Sequence, residues 1–318
     1  MLAVDRASRL APDHLMRAPT IRGLIKQVYA QVPLKRPVFE VLRRTVRLPR
    51  RLTSYLSFSG TFTVRIDSFH QFRLQHWGYM VENDLFWNGF GNGYEGTSLQ
   101  IWRRLVPHAS VILDVGANTG IYALAARCLN PTATIVALEP VERVFRRLQR
   151  NIELNGGNIT AAKLAASDTT GVAVIYDLSS DHELTASLDP SMSKGCSGVV
   201  EYTVPTKRLD DVLSGAGLRS VDLVKIDVEL SEPQVLLGMG SFLSSCKPAF
   251  LVEILNERVA REVNEITRDL GYKIFRVIER RGLVRTSYVE AMELKERNYL
   301  FAQEGILKAA NICDFVVQ

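Results

Sequence analysis

Residues 110–126 read SVILDVGANTGIYALAA, and the fold of the whole chain turns on them. The run Ser110–Val115 is apolar without alternation, which predicts a short strand covered on both faces. Gly116 and Gly120 mark a tight turn, and the alanine-rich stretch from Ile121 predicts a helix opening directly out of it. Outward from this unit the rhythm repeats. Apolar runs at 133–138, 159–165, 221–226 and 248–254 predict further buried strands. Helix-like segments lie at 119–129, 141–155, 206–214, 232–244 and 257–270. Alternating strands and helices with right-handed crossovers give an α/β fold with a mostly parallel, doubly wound sheet. The segments 272–279 and 298–303 have no helix between them, so an antiparallel pairing is expected near the C-terminus.

Three strand ends in this scheme carry polar or acidic residues. Asp114 closes the first strand, and the backbone of Gly116, Ala117, Asn118 and Gly120 follows it. Glycine suits positions where a ligand approaches backbone closely or where helix packs on strand. The helix start beyond Asn118 offers amide donors suited to a carboxylate, and Asp114 suits an ammonium. Glu139 ends the second strand, where an acid accepts both hydroxyls of an unphosphorylated ribose. Ser167 and Asp168 end the third and are expected at an adenine edge. The spacing D-x-G-x-x-x-G differs from the G-x-G-x-x-G that favours a pyrophosphate, so a nicotinamide dinucleotide is the weaker candidate. A ligand joining an amino-acid end to a nucleoside satisfies all three positions, and S-adenosylmethionine (SAM) is that ligand. A hydride-transfer enzyme is the competing assignment.

With these residues in hand the chain resembles a known family. DVGANTGIYALAA, ALEP, AASDTTG, VPTKRLDDVL, VDLVKIDVELSEPQVLLG, FLVEI and NYLF occur in the order seen in FkbM-type methyltransferases, over about residues 85–303. The resemblance implies a Rossmann-like class I methyltransferase fold, SAM as cofactor and methyl transfer to a hydroxyl of a sugar, glycolipid or secondary metabolite. The family's acceptors vary widely, so the acceptor is not implied. One residue departs from the pattern. Leu230 stands where the family usually has glycine after Asp227-Val228-Glu229, and leucine takes a positive φ only at a cost. A SAM-binding protein with lost or altered catalysis is therefore an alternative.

Methyl transfer from a sulfonium needs chiefly alignment and a nucleophile relieved of its proton, by a base, a metal or both. Asp227 is expected beside the sulfonium as base or orienting group, with Glu253 sharing that role. The same two carboxylates are candidate ligands for a divalent cation such as Mg2+. Glu229 and Glu232 are read either as part of this group or as acids of a helix first turn. His182 is a further catalytic candidate, or a solvated loop histidine, in the insertion 178–198. That insertion is rich in serine and glycine and reads as a flexible lid. Trp87, Phe90 and Tyr94 are expected to wall the acceptor pocket with it, or simply to pack.

The boundaries expected are a basic, partly helical extension over 1–52, a small strand- or hairpin-like subdomain over 53–98, and the methyltransferase domain over 99–318. Residues 1–52 hold 12 Lys/Arg against 3 Asp/Glu, while the whole chain carries only +5. The body is thus mildly acidic. The arm reads as a solvated leader or as a contact for an anionic membrane surface, a polyanionic glycan or nucleic acid. A nucleic-acid methyltransferase is disfavoured by the acidic body and by the lack of an Asn-Pro-Pro-Tyr motif. No apolar run reaches the roughly 20 residues of a membrane span. There is no signal-peptide pattern, and the four scattered cysteines fit a reducing cytoplasm. The sequence leaves the oligomeric state open.

Overall fold

The computed structural model describes residues 35–177, 186–193, 199–292 and 296–317. Helix α1 (Lys35–Thr45) and the single turn α2 (Arg50–Thr53) lead into a hairpin of β1 (Gly60–Arg65) and β2 (Gln71–His76). Alternation decides its orientation: Phe62, Val64, Phe72 and Leu74 are buried, while polar neighbours face outward. Asp67 closes the turn by accepting the amides of Phe69 and His70. Helices α3 (Met80–Asn88) and α4 (Gly96–Leu105) follow. The apolar residues of α3 do not line one face, so local pattern gives no helix there. Tertiary contacts define it instead, with the Phe86 ring edge-on to Phe58 and Phe62.

The Ser110–Ala126 stretch forms β3 (Val111–Val115) and α5 (Ile121–Leu129), followed by β4 (Thr134–Leu138), α6 (Glu142–Leu154) and β5 (Thr160–Ala162). A second sheet then intervenes, made of β6 (Ala165–Ala166), β7 (Gly171–Asp177), β8 (Ala186–Ser187) and β9 (Val200–Lys207) in the order β6-β9-β7-β8. The chain returns through α7 (Leu209–Gly215), β10 (Leu223–Ile226), α8 (Glu232–Gly238), α9 (Ser241–Cys246) and β11 (Ala249–Glu253). It finishes with α10 (Glu257–Thr267), β12 (Lys273–Ile278), β13 (Gly282–Thr286), β14 (Asn298–Ala302) and α11 (Glu304–Ala309).

The main sheet runs β13-β12-β14-β11-β10-β3-β4-β5, with β5, β4, β3, β10 and β11 parallel and β14 inserted antiparallel between β11 and β12. Both faces are covered. Ile112, Leu223 and Leu251 belong to one core cluster, shared with Phe62, Phe86 and Trp102 of the N-terminal elements. Leu113, Val224 and Phe250 belong to the other, under α8 and α10. Each fully buried Val, Leu or Phe contributes roughly 1.5–3 kcal/mol, so both layers hold the sheet.

Two expectations about elements need correction, and one strand was not anticipated. The run 159–165 is not one strand, because Ala165–Ala166 leaves the main sheet to pair with β9. The helix expected over 232–244 breaks into α8 and α9 at Gly240, whose φ is +53°. Strand β13, for which the pattern gave no signal, pairs with β12 as a hairpin. The antiparallel pairing expected of 272–279 and 298–303 is present as β12 with β14.

Candidate active site

Strand order reverses between β3 and β10, and ligands of doubly wound sheets bind where the carboxyl ends diverge. A cavity of about 270 Å³ opens there, lined from β3, β4, β10 and β11 and from the Tyr94-Glu95 turn. Sheet register explains which side chains meet in it. Asp114 lies opposite Lys225 in the β3–β10 ladder. Asp227 follows Lys225 by two residues, so both project to one face. The β10–β11 register ends at Ile226 opposite Val252, which sets Asp227 beside Glu253, and Glu253 in turn pairs with Asn298 of β14.

Lys225 was not picked out from the sequence, although a lysine inside the apolar run VDLVKI was the available signal. It is 1% exposed, and its Nζ lies 3.1 Å from Asp227 Oδ2. Burial alone would lower its pKa, but Asp227, Glu95 and Glu253 outweigh that effect and hold the ammonium above the usual lysine range. The Tyr122 ring, 5.2 Å away, adds a cation–π contact. Glu95 was also missed. It takes a left-handed φ of +42° at the start of α4. Its carboxylate accepts from Tyr122 Oη at 2.7 Å and from Asn298 Nδ2 at 2.9 Å.

The carboxylates on the β10–β11 side crowd one another. Asp227, Glu229 and Glu253 each offer an oxygen, all within 4.8 Å of one another. Burial, Asp227 and Glu232 push Glu229 up to about 8. Burial, Asp227 and Glu229 likewise raise Glu253 well above the carboxylate range. The acids on the β3–β4 side are buried too, but backbone amides meet them. Asp114 Oδ2 accepts from the Ala123 amide at 2.9 Å. Glu139 accepts from Asn118 and Val141 at 3.0 and 2.9 Å. Burial raises both to about 7.

The cofactor candidates fall into two groups. Asp114, Gly116, Ala117, Asn118, Glu139 and Asp227 line the cavity, whereas Gly120, Ser167 and Asp168 do not. A Cβ on Gly120 would lie 2.5 Å from Leu148 Cδ1, so that glycine serves helix–helix packing. Gly116, at φ +79°, would place a Cβ 1.8 Å from the Asp227 carbonyl oxygen. It therefore lets the ends of β3 and β10 approach. Ser167 and Asp168 are displaced because the chain turns into the second sheet. The Ser167 carbonyl oxygen abuts Gly238, and the Asp168 carbonyl oxygen accepts from Arg208. Ala165 and Ala166 stand at the cavity instead.

Of the aromatic residues expected at the pocket, Tyr94 lines it. Trp87 packs on Phe39 at 5.4 Å, and Phe90 is buried. His182 lies outside the described residues, as do 178–185 and 194–198 of the insertion. Ala186 and Leu188 of that insertion line the cavity. Ser187 donates to the Glu229 carbonyl, and Asp189 pairs with Arg258 at 2.5 Å. Glu232 is fully buried at the start of α8 and accepts the Val228 amide at 3.2 Å, so it braces the loop.

Leu230 takes φ +81°, next to Glu229 at +55°. The leucine itself adopts the left-handed conformation to which glycine is suited, at a cost of about 1–2 kcal/mol. Its buried side chain belongs to the second core cluster, and its carbonyl accepts from Arg258 at 3.0 Å.

Strand order and rim together define a Rossmann-like class I methyltransferase domain. Residues 114–274 match the Methyltransferase FkbM domain, and the chain belongs to that family. It is similar to the 2-O-methyltransferase NoeI of Sinorhizobium fredii, with 31% identity over 45% of this chain and 64% of that protein. It is also similar to the 31-O-demethyl-FK506 methyltransferase FkbM of Streptomyces tacrolimicus, with 29% identity over 41% of this chain and 59% of that one. A third relative is the AMB antimetabolite synthetase AmbE of Pseudomonas aeruginosa, 25% identical over 48% of this chain. The chain spans between 9% and 64% of the length of these three relatives. No described helix is long and apolar enough to cross a membrane.

Proposed function

We propose that the chain transfers the methyl group of SAM to a hydroxyl of a small-molecule or glycan acceptor, of the sugar, glycolipid or secondary-metabolite type. The observation that carries this reading is the acidic lining of the cavity. Seven carboxyl side chains (Glu82, Glu95, Asp114, Glu139, Asp227, Glu229 and Glu253) line it against Lys225 and Arg143. SAM brings a sulfonium and an ammonium against one carboxylate, so it enters as a net cation. In this reading Asp114 and the 116–118 backbone hold the methionine end. Glu139 keeps a lone pair on each oxygen for the ribose hydroxyls, and Ala165 and Ala166 flank the base.

Asp227 then lies beside the sulfonium. The acceptor oxygen attacks the methyl carbon as the carbon–sulfur bond breaks, and the bonding pair stays on sulfur as a neutral thioether. The hydroxyl proton passes to Asp227 or, once the sulfonium has drawn off its own proton, to Glu253. The all-oxygen donor set of Asp227, Glu229 and Glu253 also fits a divalent cation such as Mg2+. When bound, that cation would polarise the acceptor hydroxyl. The left-handed Leu230 supports turnover over a purely binding role, because the loop holds its course without the glycine.

Isothermal calorimetry with SAM and S-adenosylhomocysteine tests the reading, followed by a methyl-transfer assay over hydroxylated sugars and lipids. Both nucleosides are expected to bind, and Glu139→Ala to weaken both about 100-fold through loss of charge-assisted hydrogen bonds. Absence of binding by either compound would sink the proposal.

A further inference from the structure

Helix α1 has apolar residues on two faces, and the described structure covers only one. Phe39 is buried against Trp87, and Leu42 packs against the same core. Arg43 lies over the Phe86 ring at 4.3 Å and donates to the Phe86 carbonyl. Val38 and Val41, three residues apart and so on a common side, point away from that core. With Val46, Leu52 and Tyr55 they are between 49% and 77% exposed. Basic residues interleave with them: Arg36, Arg43, Arg44, Arg47, Arg50 and Arg51 stand against Glu40 alone over residues 36–55. Arg43 and Arg50 are spent on Phe86 and Asp84, while Arg47, Arg51 and Arg44, the last at 3.6 Å from Glu40, are exposed to solvent.

We propose that residues 36–55 form a docking surface for an anionic lipid bilayer. Charge complementarity selects a polyanion, and the interleaved chemistry selects which one. Aliphatic side chains between arginines match a surface with phosphate headgroups above hydrocarbon. Nucleic acid would reward stacking aromatics or planar polar groups instead, and Tyr55 is the one aromatic side chain exposed here. The surface is mounted on α3, through Arg50 with Asp84 and Arg43 with Phe86. The first residue of α3, Met80, lines the cavity and is itself exposed. Docking therefore sets the membrane one short helix from the site.

Sedimentation of the full chain with vesicles tests this. Mixed phosphatidylglycerol–phosphatidylcholine vesicles are expected to carry the protein down, and pure phosphatidylcholine vesicles to leave it in solution. Raising salt should weaken binding, as screening of the arginines requires. Arg44→Glu/Arg47→Glu/Arg51→Glu should lower the partition coefficient on the order of 100-fold or more, since each basic residue near the surface contributes several-fold. Val38→Glu/Val41→Glu should lower it on the order of 10-fold at unchanged helicity. No binding by the native chain would overturn the proposal. So would native-like binding by both variants, or a preference for single-stranded RNA over anionic vesicles at equal salt. Binding of S-adenosylhomocysteine, read separately by calorimetry, reports on the methyl-transfer reading alone.

Discussion

The two halves of the cavity rim treat buried acids differently. On the β3–β4 side each carboxylate is answered by backbone: Asp114 by the Ala123 amide, Glu139 by those of Asn118 and Val141. On the β10–β11 side Asp227, Glu229 and Glu253 face one another, with Lys225 as the buried counter-ion. The first half is a scaffold whose carboxylates are held by hydrogen bonds within the chain. The second is electrostatically incomplete and gains from an incoming positive charge. Preorganisation on one side and crowded acids on the other suit a ligand that is held by one end and reacts at the other.

The largest expected effect concerns the reactive half. Asp227→Asn should cut methyl transfer on the order of 1000-fold or more while S-adenosylhomocysteine affinity stays within about threefold. Equal losses in both would place Asp227 in the scaffold instead. Next comes stability. Lys225→Met leaves the acids without their cation and should cost about 3–5 kcal/mol in urea unfolding. Asp114→Asn, which keeps an acceptor for the Ala123 amide, should change stability by no more than about 1 kcal/mol. Similar losses in the two variants would erase the contrast.

The pH dependence of ligand binding sharpens it further. Burial and the neighbouring acids raise Glu229 to about 8 and Glu253 well above the carboxylate range. A sulfonium beside them lowers both, so SAM binding expels protons. Affinity for SAM should therefore rise with pH up to about pH 8 and level off above it, by at most about tenfold per unit for each proton released. S-adenosylhomocysteine lacks the sulfonium charge and should show a shallower rise. Parallel slopes for the two ligands would separate these acids from the sulfonium.

The smallest effect concerns the loop between the halves. Leu230→Ala and Leu230→Gly both lose the packed side chain, but only glycine relieves the φ of +81°. Glycine should be the more stable of the two by about 1 kcal/mol, the reverse of the ordinary order. Alanine winning in a denaturant titration would mean that no left-handed strain is stored at this position.

The parallel strands, the glycine turn and the acids at strand ends were legible because they depend on neighbours within a few residues. An unbroken apolar run reports burial on two faces, and Gly116 reports a turn whatever lies beyond it. Other features depended on contacts between distant segments. Helix α3 exists through Phe86 meeting Phe58 and Phe62, and the second sheet through Ala165–Ala166 pairing with β9. That pairing also took Ser167 and Asp168 away from the cavity. The partners of Lys225 follow from sheet register, which sets it between Asp114 and Asp227. Sequence alone thus determined the parallel core of the sheet and the acidic character of its rim, since hydrophobic period and backbone preference act locally. Which acids share one field, and which of them a backbone amide satisfies, was decided only by tertiary structure. Electrostatic crowding depends on distances of a few ångströms between residues far apart in the chain.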